Sequence, residues 1–354
     1  MLEIYINGMS CISNHNTIDE NYFFGDESSI LSSNQLAATE PKYSDYIPAI
    51  AIRRMSHIIK MGLSAGMMSL KSAGLEKVDA IITGTGMGCF EDTDKFLRAL
   101  LDNDEKLLTP TSFIQSTHNT IGGQIALQIK CNGYNFTYVH QNVSFEYALL
   151  DAIMLLKDRD ASNVLVGGVD EITPSVFELL SRGGHIKKTE DLQEPIWKST
   201  TKGYILGEGA AFFNLSAETS PSTYAKIIGA KCIQSIVDSD DLINQLNNFL
   251  SEIGVGKDEI SLVLSGNSGD VITDKNIVDF NNQLNLPIAY FKHLCGEYYT
   301  SSAFALWLAA NILKRQTVPS VIFPNYSPLS NVDNILIVNH HENKQYSLML
   351  VSVC

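Results

Sequence analysis

Few residues of this chain sit in a pattern that could do covalent chemistry, and each lacks a neighbour it would need. Six cysteines (Cys11, Cys89, Cys131, Cys232, Cys295 and Cys354) are scattered, with no CxxC pair and no Cys/His cluster of zinc spacing. They read as reduced, mostly buried thiols. Cys89 lies in a glycine turn and Cys295 beside a helix start, but neither has a suitably placed His in sequence. Ser144 follows a strand and turn, with no identifiable base. That turn carries two amides, Gln141 and Asn142, and an amide is no nucleophile at neutral pH. A role satisfying backbone groups in a tight turn is the simpler reading of Asn142. Lys292 and Glu297 admit two readings. One is a surface lysine and a carboxylate at a helix N-terminus. The other is a pair inside a pocket. His340–His341 reads as an exposed loop, because no third metal ligand is near in sequence. No metal and no cofactor are expected.

The elements around these residues alternate. Ser56–Gly74 has apolar residues at helical spacing and leads into Val78–Gly88, an apolar strand ending in a glycine turn. Asp241–Gly254 is a second amphipathic helix and leads into Ile260–Gly269, again a strand and a glycine turn. Thr137–Leu156 follows the first copy as strand then helix, and Ile288–Leu313 follows the second. Short apolar strands close each half: NVLVGGV and GEGAAFFNLS, then NILIVNH and YSLMLVSV. Such alternation implies an α/β sheet with helices on its faces. Fully apolar strands imply sheets covered on both sides. The expected organisation is two repeated halves, residues 1–217 and 218–354, with a hinge at Ala217–Ser222. Asn14–Tyr46 reads as a long surface excursion and Lys187–Thr201 as a polar loop.

Bulk composition narrows the function. With 354 residues and 45% hydrophobic content the chain can bury a large core. A net charge of −14 argues against nucleic acid and anionic membranes as partners. The N-terminus lacks a basic leader and reads as a first strand. The longest apolar stretch, Ala303–Leu313, is too short to span a bilayer. A cytoplasmic protein is expected.

Residues 138–171 resemble the nucleophile segment of the β-ketoacyl synthases. Ala148, Leu149 and Ala152 match the helix positions behind that family's catalytic Cys, and Gly167–Gly168 follow at the family's distance. Counting back without a gap puts the Cys position at Asn142, and a one-residue slip puts it at Gln141. KGYILGEGAAFFNL is similar to the family's Asp-Gly-Phe-Val-x-Gly-Glu-Gly-Ala-Gly stretch, through Gly203, Gly207, Glu208 and Gly209. RRMSHIIKMGLSAG, IITGTGMGCFEDT and TPTSFIQSTHNTIGGQIALQI resemble its early helix, glycine turn and dimer-interface segment. The resemblance implies a thiolase-like αβαβα layered sandwich.

The resemblance also implies lost chemistry. An elongating synthase of this family uses a Cys thiolate, two His and a supporting Lys. Here Gly266 holds the first His position, Glu297 the second, and Lys292 is retained. His340–Tyr346 replaces the family's glycine-rich gating loop. This pattern resembles the chain length factors of type II polyketide systems, in particular the subunits of aryl polyene and flexirubin-type pathways. The implied function is a non-catalytic subunit that pairs with an active ketosynthase and shapes its acyl tunnel. Thr109–Ile125 would lie at the interface, with Phe113, Ile114, Thr117, His118 and Ile121 as tunnel candidates. Acyl carrier protein would dock mainly through the partner, since this chain has 39 acidic against 25 basic residues and only local patches such as Lys187–Lys188. The alternatives are a decarboxylating priming enzyme, a stand-alone acyl-binding protein, and an acyltransferase or hydrolase using Ser144 or Cys89. Gly266 and Glu297 count against the first.

Overall fold

The sheet carries the repeat that the sequence suggests. The computed structural model describes residues 3–25, 28–323, 329 and 331–354. Its main strands are β1 (Ile4–Ile12), β2 (Ala80–Gly84), β3 (Tyr134–Tyr138), β4 (Asn163–Asp170) and β5 (Gly209–Ser216), then β6 (Ala225–Ile233), β7 (Leu262–Ser265), β8 (Ile288–Tyr290), β9 (Asn334–His341) and β10 (Gln345–Ser352). They form one ten-stranded sheet in the order β8-β7-β9-β10-β6-β1-β5-β4-β2-β3. Outward from the central β1–β6 pair, each half repeats one pattern. β1-β5-β4 run antiparallel, and β4-β2-β3 run parallel. β6-β10-β9 and β9-β7-β8 do the same. The halves join through Ile4↔Ile227, Tyr5↔Lys226 and Ile6↔Ala225.

Among the described residues, nine α-helices of six residues or more accompany this sheet: α1 (His57–Ala73), α2 (Phe90–Asp102), α3 (Pro110–Gln115), α4 (Thr120–Ile129), α5 (Ser144–Lys157), α6 (Pro174–Arg182), α7 (Ser239–Ile253), α8 (Lys275–Leu284) and α9 (Ser301–Arg315). The equivalent helices α1 and α7 both end on a glycine at positive φ, Gly74 at 68° and Gly254 at 71°. Strand side chains alternate between faces. Ile335 and Ile337 of β9 enter the central core beside α5 and α9, while Leu336 and Val338 pack outward with α7 and α8. On the other half Ile82 and Val166 face the central core, while Ile81 and Leu165 meet α1 and α4. The result is five layers, an α/β sandwich of the thiolase-like kind. α9 lies in its middle, which is why Ala303–Leu313 is apolar but for Asn311: every residue from Ser301 to Leu313 is buried.

Several expectations change. The Ala217–Ser222 connection is tied down rather than hinged. Asn7 donates to Glu218 O (2.8 Å), its own Oδ1 accepts from Thr223 Oγ1 (2.7 Å), and Ser222 Oγ donates to Asn7 O (2.7 Å). The Asn14–Tyr46 excursion is anchored by Phe24, whose ring meets Phe304 and Trp307 edge-on. It is also anchored by a short ladder of Gln35–Leu36 against Leu206–Gly207. Ile121, one of the tunnel candidates, belongs to the core of this chain. It is 1% exposed and packs on α1 where Gly62 leaves room, since a Cβ at Gly62 would stand 2.6 Å from Ile121 Cγ2.

Ile121→Ala should therefore lower stability by about 2–5 kcal/mol, whereas the exposed Phe113→Ala should cost well under that. Thermal unfolding of both variants checks the contrast, and equal melting temperatures would contradict it.

Candidate functional site

The turn between β3 and α5 places the two amides differently. Gln141 takes the positive-φ position, at 51°, and its side chain is exposed. Asn142 points inward and is 7% exposed. Its Nδ2 does not serve the backbone, as the turn had suggested, but donates to Gln345 Oε1 at 3.1 Å. Gln345 Nε2 in turn donates to Gln234 Oε1 (2.9 Å), and Gln234 Nε2 donates to Tyr147 OH (2.7 Å). A relay of amides thus runs from the surface to Asn142. Ser144 is spent as a cap: it donates to Gln141 O (2.7 Å) and accepts from His140 N (2.8 Å). Burial pushes the thiols of Cys89 and Cys295 up, so neither is an activated nucleophile.

Gly266 follows β7 and its amide donates to Val338 O at 2.8 Å. The space beside it is filled. A Cβ there would stand 2.4 Å from Asn339 Oδ1 and 3.0 Å from Asn339 Cα. An imidazole at 266 has no room while Asn339 is present.

Lys292 and Glu297 form a pair in the interior. Lys292 opens a single helical turn, Lys292–Cys295, and Glu297 follows it. The two are 2% and 3% exposed, and Lys292 Nζ lies 2.6 Å from Glu297 Oε2. Lys292 also donates to His340 O (2.7 Å), and His341 Nδ1 lies 3.3 Å from Glu297 Oε1. Burial alone would raise the Glu297 carboxyl, but the Lys292 ammonium and His341 outweigh it and hold it below the usual carboxylate range. The Gly-Glu-Gly stretch sets this geometry. Gly207 N donates to Glu297 O (3.0 Å) and Glu297 N donates to Ile205 O (2.7 Å). Only glycine fits there, because a Cβ at Gly207 would stand 2.0 Å from Cys295 O. Between these glycines Glu208 accepts from Ile172 N (2.8 Å) and Ala38 N (2.9 Å) and meets His57 Nε2 at 3.2 Å.

His340–His341 is not an exposed loop. It ends β9, and the chain turns back through Glu342 and Asn343, both at positive φ, into β10. His340 is buried, stacks on Tyr346 and meets Asp274 Oδ1 at 3.0 Å. The tip of this β9–β10 hairpin reaches Gly266, Lys292, Glu297 and Asn142 together. Asn339 fills the space at Gly266, His340 and His341 hold Lys292 and Glu297, and Gln345 holds Asn142. His293 is elsewhere: its Nε2 meets Val321 O at 3.1 Å, and burial lowers its pKa to about 3. Lys187 is also buried, so it is no docking patch. Its ammonium donates to Ser199 Oγ (2.9 Å), Thr201 Oγ1 (2.8 Å) and Gly269 O (2.9 Å).

A cavity of about 420 Å³ begins at Glu297 and His341 and opens between Phe90, Val176, Leu179 and Leu180. Asn142 and Gly266 do not line it. Its wall holds a buried acid, Asp170, and a half-buried one, Glu171, with burial pushing Asp170 up to about 6 and Glu171 up to about 7. Of the interface candidates, Phe113, Ile114, Thr117 and His118 are exposed beside α2, while Ile121 is not. Sequence reasoning missed a second exposed surface. β3 is an edge strand with Tyr134 and Phe136 outward and stacked at 6.1 Å, and Val139 is exposed just beyond it. Its signal was the alternation Tyr-Asn-Phe-Thr-Tyr. Among the described residues no group of three His, Cys, Asp or Glu side chains could hold a metal, and no helix is long and apolar enough to cross a membrane.

The pair at 292 and 297 generates a stability prediction. Lys292→Met strands a buried carboxylate and should cost about 3–5 kcal/mol, whereas the double variant Lys292→Met/Glu297→Met should recover most of that loss. Denaturant unfolding measures the cycle, and a single variant as stable as the native chain would contradict the buried pair.

Known proteins share this architecture. The chain is 22% identical over 195 residues to 3-oxoacyl-[acyl-carrier-protein] synthase 2 of Vibrio cholerae serotype O1, a match that covers 52% of this chain and 46% of that protein. It thus spans about half the length of the curated relative. Among solved structures, the ishigamide ketosynthase/chain length factor superposes with a TM-score of 0.79 at 16% identity, covering 99% of each chain. A ketosynthase (ApeO) in complex with its chain length factor (ApeC) from Xenorhabdus doucetiae gives 0.78 at 15%, covering 100% of this chain and 98% of that one. At such identities the likeness establishes the fold. The model of the β-ketoacyl synthase N-terminal domain matches residues 5–219, more than half of the chain, and it follows that this protein belongs to the β-ketoacyl synthase family.

Proposed function

We propose that this protein is a non-catalytic chain length factor: it pairs with an active ketosynthase and helps shape that partner's acyl tunnel in a type II polyketide or related pathway. The observation that carries the reading is the hairpin tip. Where a synthase needs a thiolate and two imidazoles, this chain has an amide held by Gln345, a glycine covered by Asn339 and a carboxylate neutralised by Lys292. A carboxylate at 297 would oppose a developing enolate rather than stabilise it. These groups support a loss of chemistry by replacement and by occupation together.

Two surfaces support pairing. β3 leaves one edge of a ten-stranded sheet open, with aromatic side chains along it. An open apolar edge invites strand addition and is normally covered. Phe113 and Ile114, 57% and 65% exposed, add apolar area on α3. The comparison structures described as ketosynthases with chain length factors supply the kind of partner. A polyene-type product is the finer placement, resting on the sequence resemblance alone. The cavity at Glu297 favours a second reading, a stand-alone acyl-binding protein, and the open aromatic edge counts against it.

Co-expression with a catalytic ketosynthase from the same gene neighbourhood, with a tag on one chain, tests the proposal. A one-to-one complex is expected, with an interface on the order of 2,000 Å² or more. Replacing Phe136 with Asp at the β3 edge should weaken it. Failure to co-purify at low salt, or a stable monomer beside the partner, would overturn the pairing.

A further inference from the structure

A cleft unrelated to the hairpin tip gathers cations. It has a volume of about 300 Å³ and lies where the C-terminal ends of α1 and α9 meet β1. Lys71 comes from α1, and Lys314 and Arg315 from α9. None of the three forms an ion pair with a carboxylate among the described residues. Lys314 Nζ donates to Thr223 O (2.8 Å). Arg315 meets Asn311 Oδ1 (3.4 Å) and Glu20 O (2.5 Å), and lies 5.0 Å over the Phe23 ring. Among the described residues no hydrogen bond engages the Lys71 ammonium. Helix C-termini favour cations, each end carrying about half a negative charge. Two such ends compensate one of the three charges. Exposed Asp19 and Glu20 stand at the rim.

The inner wall is of another kind. Met9, Met68 and Trp307 make an apolar floor, with Tyr46 and Tyr224 beside it. Ser72 Oγ and Tyr224 OH lie 3.1 Å apart and already serve each other. Cations at one end and apolar atoms at the other match an amphiphilic oxyanion. We propose that this cleft binds a small amphiphile with a carboxylate or phosphate head and a short apolar chain. The head meets Lys71, Lys314 and Arg315, and the chain lies on Met9, Met68 and Trp307. In a chain of net charge −14, local cations rather than total charge select such a ligand. The site stands independently of any pairing with a ketosynthase.

Trp307 supplies the readout. The chain has two tryptophans, and Trp197→Phe leaves Trp307 as the sole reporter while keeping a ring to stack on Tyr290. Octanoate and octyl phosphate, titrated below their aggregation concentrations, should each give a saturable change in its emission, with a Kd below ~1 mM for the better of the two. The tighter ligand identifies the head group. Inorganic phosphate and octanol, which carry only head or only chain, should bind about tenfold more weakly or less. Lys71→Ala and Lys314→Ala alter exposed side chains and should leave the melting temperature unchanged. Each should weaken the octyl anions about tenfold, and less so at high salt. The proposal is overturned if neither octyl anion saturates. It is equally overturned if the lysine variants bind as tightly as the parent, or if inorganic phosphate alone matches octyl phosphate.

Discussion

A buried ammonium and a buried carboxylate 2.6 Å apart hold the centre of this molecule together. Neither Lys292 nor Glu297 could stay ionised there alone, because stripping one charge of water costs several kcal/mol. Their remaining bonds go to the β9–β10 hairpin, through His340 O and the His341 ring. The pair therefore fixes the hairpin tip, and the tip fixes what surrounds it. Asn339 closes the space at Gly266 and Gln345 holds Asn142. A second tie anchors the same tip from outside the central layer, since His340 meets Asp274, which also accepts from Ser268 N and Gly269 N.

Under the proposed function, this arrangement keeps the family fold around an altered centre. The five layers depend on apolar strands and on glycines where backbones touch, not on the catalytic side chains. The packing of this chain needs the Gly207–Cys295 approach and the Gly62–Ile121 contact. Glu208 likewise serves structure, accepting from two backbone amides and facing His57. Under the proposed function, the residues exchanged are those that would matter only to condensation. That division is what the proposed role as a pairing subunit requires: surface and layers kept, reaction centre occupied.

Much of this was legible in the sequence where signals are local. The helices before β2 and β7 were read to within a few residues, because apolar spacing and a terminal glycine mark both. The Lys292–Glu297 pair was one of two readings, and the five-residue spacing across one helical turn realises it. Long-range contacts were not legible. Gln345 reaches Gln234 across 111 positions and Asn142 across 203, and no local pattern records that. β6 went unread because Lys226 and Lys231 interrupt its apolar run. His340–His341 read as a loop because two histidines before a polar run look solvated. In the fold they end β9, where Asp274 and Glu297 meet their ring nitrogens. Lys187 misled for the same reason: four oxygens from Ser199, Thr201 and Gly269 solvate its ammonium inside the protein.

The claim that the hairpin occupies the former reaction centre is tested most directly with a thiol placed there. In Asn142→Cys protein, alkylation by iodoacetamide can be followed by peptide mapping, with exposed Cys354 as the internal standard. The introduced thiol should react at least ~10-fold more slowly than Cys354 in the native chain, and Gln345→Ala in the same protein should raise its rate by opening the amide relay. A thiol at 142 that alkylates as fast as Cys354 with Gln345 in place would contradict the account, because the centre would then be open.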